Sequence, residues 1–115
     1  MDVTIFHHPG CGTSRATLAL ICQAGHAPQI IDYLRIGWTK QQLLILLTAM
    51  GAAPRDILRV KGTPAEELGL LAPETTDDAI IDAMITHPVL VNRPIVVTPK
   101  GTRLTRPPEL VLDLL

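Results

Sequence analysis

Apolar positions change their spacing along this chain, and the first changes predict a strand, a helix and a second strand. Short apolar runs at residues 3–7 and 29–34 are typical of β-strands. Between them, residues 13–24 show helical spacing, with Cys22 on the apolar face. This succession has the length of a parallel βαβ unit.

The middle of the chain carries helix-start signals. Thr39 and Gln42 form a capping box for a helix that runs to about Met50. Further helix starts are predicted at Pro54, at the Thr63-Pro64-Ala65-Glu66 string, and at Thr75 or Thr76. The region at about residues 39–87 is therefore expected to be a helical insertion.

The last third returns to strands. Residues 94–98 are strand-like, Lys100-Gly101 supplies a turn, and residues 102–104 can pair back as a hairpin. A short helix should then begin at Pro107-Pro108. The order βαβ, helical insertion, ββα predicts an α/β protein of thioredoxin-like fold with a mixed four-stranded sheet. Residues 1–115 are expected to form one domain.

Composition narrows the classes of function. A hydrophobic content of 47% favours a folded core, and a net charge of −1 argues against nucleic-acid or anionic-membrane binding. The longest apolar run, residues 43–47, is too short to span a membrane, and no signal-peptide pattern is visible. Two cysteines do not make a secreted disulfide framework, so a reducing cytoplasm is the expected location.

Candidate chemistry is concentrated at Cys11, which follows a strand and a Pro-Gly turn where a helix should start. Free N–H groups and the positive end of the helix dipole favour a thiolate at such a position. His7 and Arg15, four residues to either side, can add positive charge. The same amides form a small anion site. The loop thus offers a nucleophile beside a place for an oxyanion.

Spacing excludes several thiol chemistries. A phosphatase-type loop requires Cys-x5-Arg, but Thr17 stands at that position, and a dithiol Cys-x-x-Cys motif is excluded by Ser14. Cys22 lies about 16 Å from Cys11 at the helical rise, too far for a disulfide. We therefore expect Cys22 to be a core residue and the resolving thiol to come from another molecule. The four histidines show no metal-ligand pattern with the cysteines.

The chain resembles the glutaredoxin-coupled arsenate reductases. The strings that carry the resemblance are His7-x3-Cys11-x3-Arg15, Ile57-Leu58-Arg59, residues 92–99 (Asn-Arg-Pro-Ile-Val-Val-Thr-Pro) and residues 101–109 (Gly-Thr-Arg-Leu-Thr-Arg-Pro-Pro-Glu). They span nearly the whole chain in order. His8 departs from the pattern, because asparagine is common there in the family.

The resemblance implies a role for each matching residue. Cys11 would attack arsenic, and His7 would help to depress its pKa. The oxyanion and the covalent adduct would be held by Arg59, Arg93 and Arg106, together with the loop residues Gly12, Thr13, Ser14 and Arg15. Pro94 would be the cis-proline that faces the cysteine loop.

The expected function is therefore arsenate reduction, with glutathione as co-substrate and glutaredoxin as partner. No metal or tightly bound cofactor is expected, and the chain should be a monomer or a weak dimer. Two alternatives stay open: a glutathione-linked thiol oxidoreductase with another substrate, and a non-catalytic relative like the transcriptional regulators of this fold.

Overall fold

A computed structural model describes residues 1–115, and the chain divides into two compact units. The first unit comprises residues 1–36 and 93–115, and the second comprises residues 37–92. None of the helices is both long and apolar enough to cross a bilayer.

The first unit is built on a four-stranded sheet. In chain order its elements are β1 (Thr4–His7), α1 (Gly12–Gln23), β2 (Gln29–Asp32), α2 (Tyr33–Ile36), β3 (Ile95–Thr98), β4 (Gly101–Leu104) and a 3₁₀ helix (Pro108–Leu114). The strand order is β2-β1-β3-β4. Strands β1 and β2 are parallel, whereas β3 is antiparallel to both β1 and β4. The predicted mixed sheet and thioredoxin-like α/β fold are confirmed.

The core of this unit lies between the sheet and the two helices that cover it. Ile5 from β1, Ile21 from α1, Val96 from β3 and Val111 from the C-terminal 3₁₀ helix are all fully buried. Burying such side chains is the main favourable contribution to folding. The packing also places the N-terminus of α1 beyond the end of β1, where the Cys11 loop connects them.

The second unit is helical. Its elements are α3 (Lys40–Met50), a 3₁₀ helix (Pro54–Ile57), α4 (Asp77–Thr86) and a second 3₁₀ helix (Pro88–Leu90). The Thr39 hydroxyl accepts a hydrogen bond from the Gln42 N–H, and Gly51 ends α3 in the left-handed region with φ of 63°. The Thr76 hydroxyl caps α4 by accepting from the Ala79 N–H. The caps predicted from the sequence are confirmed for both helices.

The helix predicted from residue 63 is wrong, because residues 61–74 form turns. The Thr63 hydroxyl accepts the Ala65 N–H at 3.3 Å, as an N-cap side chain does, and it also donates to the Arg59 and Val60 carbonyls. Gly69 then adopts φ of +73°, which stops helical geometry after a single turn. That turn is still visible as the hydrogen bond from the Leu68 N–H to the Pro64 carbonyl.

The short helix predicted from Pro107-Pro108 is confirmed, as a 3₁₀ helix. Two further expectations need correction. The second strand ends at Asp32, and Tyr33 and Leu34 belong to a short helix. Cys22 is exposed rather than part of the core. Its neighbour Ile21 takes the buried position on α1, so the apolar face is narrower than the sequence suggested.

The apolar run in α3 is divided between the interior and the surface. Leu43, Leu46 and Leu47 are buried, whereas Leu44 and Ile45 are exposed. This division follows the helical repeat, since positions three and four residues apart share a face.

Candidate active site

Cys11 occupies the N-cap position of α1. Its backbone is extended, with φ of −96° and ψ of 123°, and its N–H donates to the His8 carbonyl at 3.0 Å. The first amides of α1 therefore point towards the Cys11 side chain. Burial alone would raise the pKa of this thiol. Hydrogen bonds from the Ser14 N–H, the Arg93 and Arg106 side chains and the Thr13 N–H outweigh it, so the pKa of Cys11 falls to about 7.

Two arginines from the other end of the chain approach the sulfur. The Arg106 Nη1 donates to the Cys11 Sγ at 3.7 Å and to the Arg93 carbonyl oxygen at 2.8 Å. The Arg93 side chain also hydrogen-bonds to the sulfur and is only 9% exposed. Two guanidinium groups beside one thiolate create a strongly positive site that can receive an anion.

The arginines are positioned by the β3–β4 hairpin. Arg93 immediately precedes Pro94 and β3, and Arg106 follows β4. The Arg93–Pro94 and Arg106–Pro107 peptide bonds are both cis. The Thr105 N–H donates to the Pro94 carbonyl at 3.0 Å, which joins the two ends of the hairpin.

A pair of buried threonines connects this hairpin to α1. The Thr105 and Thr17 hydroxyl oxygens lie 3.2 Å apart, and the Thr105 hydroxyl also donates to the Pro94 carbonyl at 3.4 Å. Both residues are fully buried. The sequence does not predict a role for these two threonines, because its only indication is that Thr105 precedes Arg106.

His7 contacts Ser14 rather than the sulfur. Its Nδ1 lies 2.6 Å from the Ser14 Oγ, which also accepts a hydrogen bond from the His8 N–H at 3.1 Å. Burial lowers the pKa of His7, Asp32 on the adjacent strand raises it, and Arg15 lowers it further, with a net downward shift. The neutral imidazole is therefore favoured. His7 acts on Cys11 indirectly, through its contact with Ser14 in the first turn of α1.

The remaining predicted site residues fall into two groups. Gly12, Thr13, Ser14 and Arg15 form the first turn of α1, where the Arg15 Nη1 donates to the Pro9 carbonyl at 2.9 Å. Arg59 belongs to the second unit, where its Nε donates to the Lys61 carbonyl at 3.2 Å. No group of three or more histidine, cysteine or acidic side chains is placed to hold a metal ion.

Residues 6–114 match the ArsC family. The chain belongs to this family. It is 57% identical over 113 residues to a Synechocystis protein named arsenate reductase ArsI2, covering 98% of this chain and 81% of that protein. It is 52% identical over 114 residues to a protein named arsenate reductase from Escherichia coli K12, covering 99% of this chain and 81% of that protein.

Solved structures agree with this family assignment. A structure described as the arsenate reductase from Vibrio cholerae superimposes with a TM-score of 0.94 at 42% identity. The superposition covers 100% of this chain and 98% of the other. The similarity thus extends over both units and includes every element that positions Cys11.

Proposed function

We propose that this ArsC-family protein is an arsenate reductase whose nucleophile is the Cys11 thiolate. The observation that carries the proposal is the environment of the Cys11 thiol. Its pKa is lowered to about 7, and its sulfur accepts hydrogen bonds from two arginine side chains. The relatives named arsenate reductase support the choice of substrate. The enzyme is accordingly an oxidoreductase.

Arsenate binding uses the positive charge around the sulfur. Arsenate is a tetrahedral anion with several oxygen acceptors, and the planar guanidinium fork offers paired donors to such groups. Arg93 and Arg106 would hold its oxygens beside Sγ, and the amides of residues 12–15 would bind another oxygen. The family resemblance adds Arg59 as a third cation for the anion. These fixed charges also stabilise negative charge that develops during attack.

The chemistry then proceeds by thiol exchange. The Cys11 thiolate attacks arsenic, an S–As bond forms, and one arsenate oxygen leaves as water after taking up two protons. Glutathione attacks the Cys11 sulfur of this adduct, the S–As bond breaks, and its electron pair reduces arsenic from +5 to +3. Arsenite leaves, and Cys11 is left as a mixed disulfide with glutathione, which a glutaredoxin thiol reduces. Both electrons come from thiols, so no tightly bound cofactor is required.

Cys22 does not take part in this scheme. It is exposed near the C-terminal end of α1, whereas Cys11 caps the N-terminal end of the same helix. Twelve helical residues separate the two ends by about 16–18 Å, far beyond disulfide reach. This distance supports an external resolving thiol. We further propose that residues 1–115 function as one domain, as a monomer or weak dimer in the cytoplasm.

The decisive experiment follows arsenate-dependent NADPH oxidation with purified protein, glutathione, glutaredoxin and glutathione reductase. Cys11→Ser should abolish turnover, whereas the matched control Cys22→Ser should retain it to within about twofold, because exposed substitutions away from a site are nearly neutral. If the wild-type protein shows no activity but Cys11 still forms a glutathione adduct, the protein is a glutathione-linked thiol oxidoreductase with another substrate. Absence of both activity and adduct would indicate a non-catalytic binding protein.

A further inference from the structure

His8 makes three hydrogen bonds, two within the turn that leads to Cys11 and one to the first turn of α1. Its N–H donates to the Ser14 Oγ at 3.1 Å, and its carbonyl accepts from the Cys11 N–H at 3.0 Å. Its imidazole Nδ1 lies 3.0 Å from the Gly10 nitrogen and accepts that N–H. An Nδ1 that accepts is unprotonated, so this contact requires a neutral ring with its hydrogen on Nε2.

The absence of a side chain at Gly10 leaves room for the His8 ring. A Cβ built on Gly10 would lie 2.9 Å from the His8 Cε1 and 3.3 Å from the His8 Nδ1. The backbone of Gly10 is outside the positive-φ region that favours glycine. A side chain at residue 10 would therefore displace the His8 ring from its contact with the Gly10 N–H, whereas the backbone conformation itself does not require glycine.

We propose that His8 is a positioning residue for Cys11, whose neutral imidazole holds the residue 9–11 turn by accepting the Gly10 N–H. The contact joins a side chain to the backbone two residues later, as asparagine and aspartate do in Asx-turns. Unlike asparagine, histidine loses its acceptor when it is protonated. The proposal rests on Cys11 being the reactive thiolate of the proposed function, but not on arsenate being its substrate.

The surrounding charges favour the neutral ring. Burial lowers the pKa of His8, and the nearby Arg93 and His7 lower it further. Asp32 and a backbone hydrogen bond raise it, but the net shift of the His8 pKa is downward. Arg15 adds a further cation to the turn through its bond to the Pro9 carbonyl. At neutral pH the acceptor is therefore present. Acidification below the His8 pKa places a hydrogen on Nδ1 opposite the Gly10 N–H, and the turn is released.

The first test measures the pKa of Cys11 from the pH dependence of its alkylation by iodoacetamide. All variants carry Cys22→Ser, because the exposed Cys22 would also react. His8→Ala should raise the pKa of Cys11 by up to about one unit, since a single lost hydrogen bond corresponds to a shift of that size. His8→Asn should restore the wild-type value, because its side-chain oxygen can accept the Gly10 N–H. His26→Ala, which removes a histidine outside the turn, serves as the matched control.

The second test observes the turn directly by NMR. The Gly10 amide signal should titrate together with the His8 ring in the wild-type protein and should stop titrating in His8→Asn. Gly10→Ala should disturb the loop strongly in the wild-type background and only slightly with His8→Ala, which is the non-additivity expected of residues in contact. Should His8→Ala fail to fold, the His8→Asn titration and Gly10→Ala in the His8→Asn background carry the same information.

The proposal is overturned if folded His8→Ala keeps both the wild-type Cys11 pKa and the wild-type Gly10 signal. It is equally overturned if His8→Asn raises the Cys11 pKa as much as His8→Ala does. None of these readouts uses arsenate. An inactive enzyme with the expected titrations would therefore refute the proposed substrate while supporting the role of His8.

Discussion

The Arg106 guanidinium donates to the Cys11 sulfur across 3.7 Å, although 95 positions separate the two residues in the chain. The same Nη1 donates to the Arg93 carbonyl, so the group that stabilises the thiolate is itself fixed by the backbone beside the second arginine. Arg106 is thus held in place before any anion arrives, which reduces the reorganisation needed for binding.

Replacing Arg106 with alanine should therefore affect both ionisation and turnover. The pKa of Cys11 should rise by about one unit, because an opposite charge within a few ångströms is removed. Arsenate turnover should fall by at least about a hundredfold, as is usual when a charge-stabilising donor is lost. The pH dependence of alkylation and the coupled NADPH assay measure these two effects.

Arg103→Ala is the matched control for this substitution. Arg103 lies on β4, three residues before Arg106, and forms an exposed ion pair with Asp113. Exposed pairs contribute little, so its removal should leave the pKa of Cys11 unchanged. An equal rise in both variants would mean that Arg106 acts through general positive charge rather than through its contact with sulfur.

The lowered pKa of Cys11 predicts a pH-dependent contribution to stability. A thiol that ionises more readily in the folded state stabilises that state above its unfolded pKa of about 8.5. The contribution is lost as the pH falls through the folded pKa of about 7. The wild-type protein should therefore gain thermal stability relative to Cys11→Ser between these pH values and keep no such advantage below them. A constant difference in melting temperature across the range would contradict the assigned thiolate.

Ser14→Ala should destabilise the fold by about 1–3 kcal/mol, because buried groups lose their hydrogen-bond partner. The Ser14 hydroxyl connects the His7 Nδ1 and the His8 N–H and is fully buried. Urea unfolding measures this loss, with exposed Thr86→Ala in α4 as the control. Alkylation should show a smaller change in the Cys11 pKa than Arg106→Ala causes, since the Ser14 N–H remains.

Thr105→Val should destabilise the protein more than Thr17→Val. The first substitution leaves the Thr17 hydroxyl buried without its Thr105 partner, whereas the second still allows Thr105 to donate to the Pro94 carbonyl. The double substitution should be less destabilising than the sum of the two single changes, because removing both partners avoids an unpaired hydroxyl. Urea unfolding of the four proteins in this cycle gives the comparison, and strict additivity would show that the two hydroxyls are not coupled.

Local signals in the sequence predicted the parts of the fold that depend on neighbouring residues. Two of these features are the helix caps at Thr39 and Thr76, and a third is the position of Cys11 at the start of a helix. Each depends on hydrogen bonds within one turn. The start signal at residue 63 produces a cap and a single turn, because Gly69 then takes a left-handed conformation. Whether a start signal extends into a helix depends on residues further along the chain, which a short motif does not contain.

The meeting of Arg93, Arg106 and Cys11 had no local signal. The family resemblance nominated these arginines, but their approach to the sulfur depends on β3 pairing with both β1 and β4. Long-range strand pairing is set by the packing of the whole sheet rather than by any one segment. The burial of Thr17 and Thr105 and the exposure of Cys22 escaped prediction for the same reason.

The pairing register of the hairpin between Arg93 and Arg106 determines where Arg106 lies relative to Arg93. Thr98 pairs with Gly101 at the turn and Ile95 pairs with Leu104 at the other end, so the pairing register stays constant along both strands. A slip of one residue in this pairing would send alternate side chains to the opposite face and carry Arg106 away from the sulfur. Insertions and deletions at residues 99–100 are therefore constrained by the reactive centre, which lies a strand length of about 13 Å away. The length of this hairpin is therefore constrained more tightly than the identity of its residues.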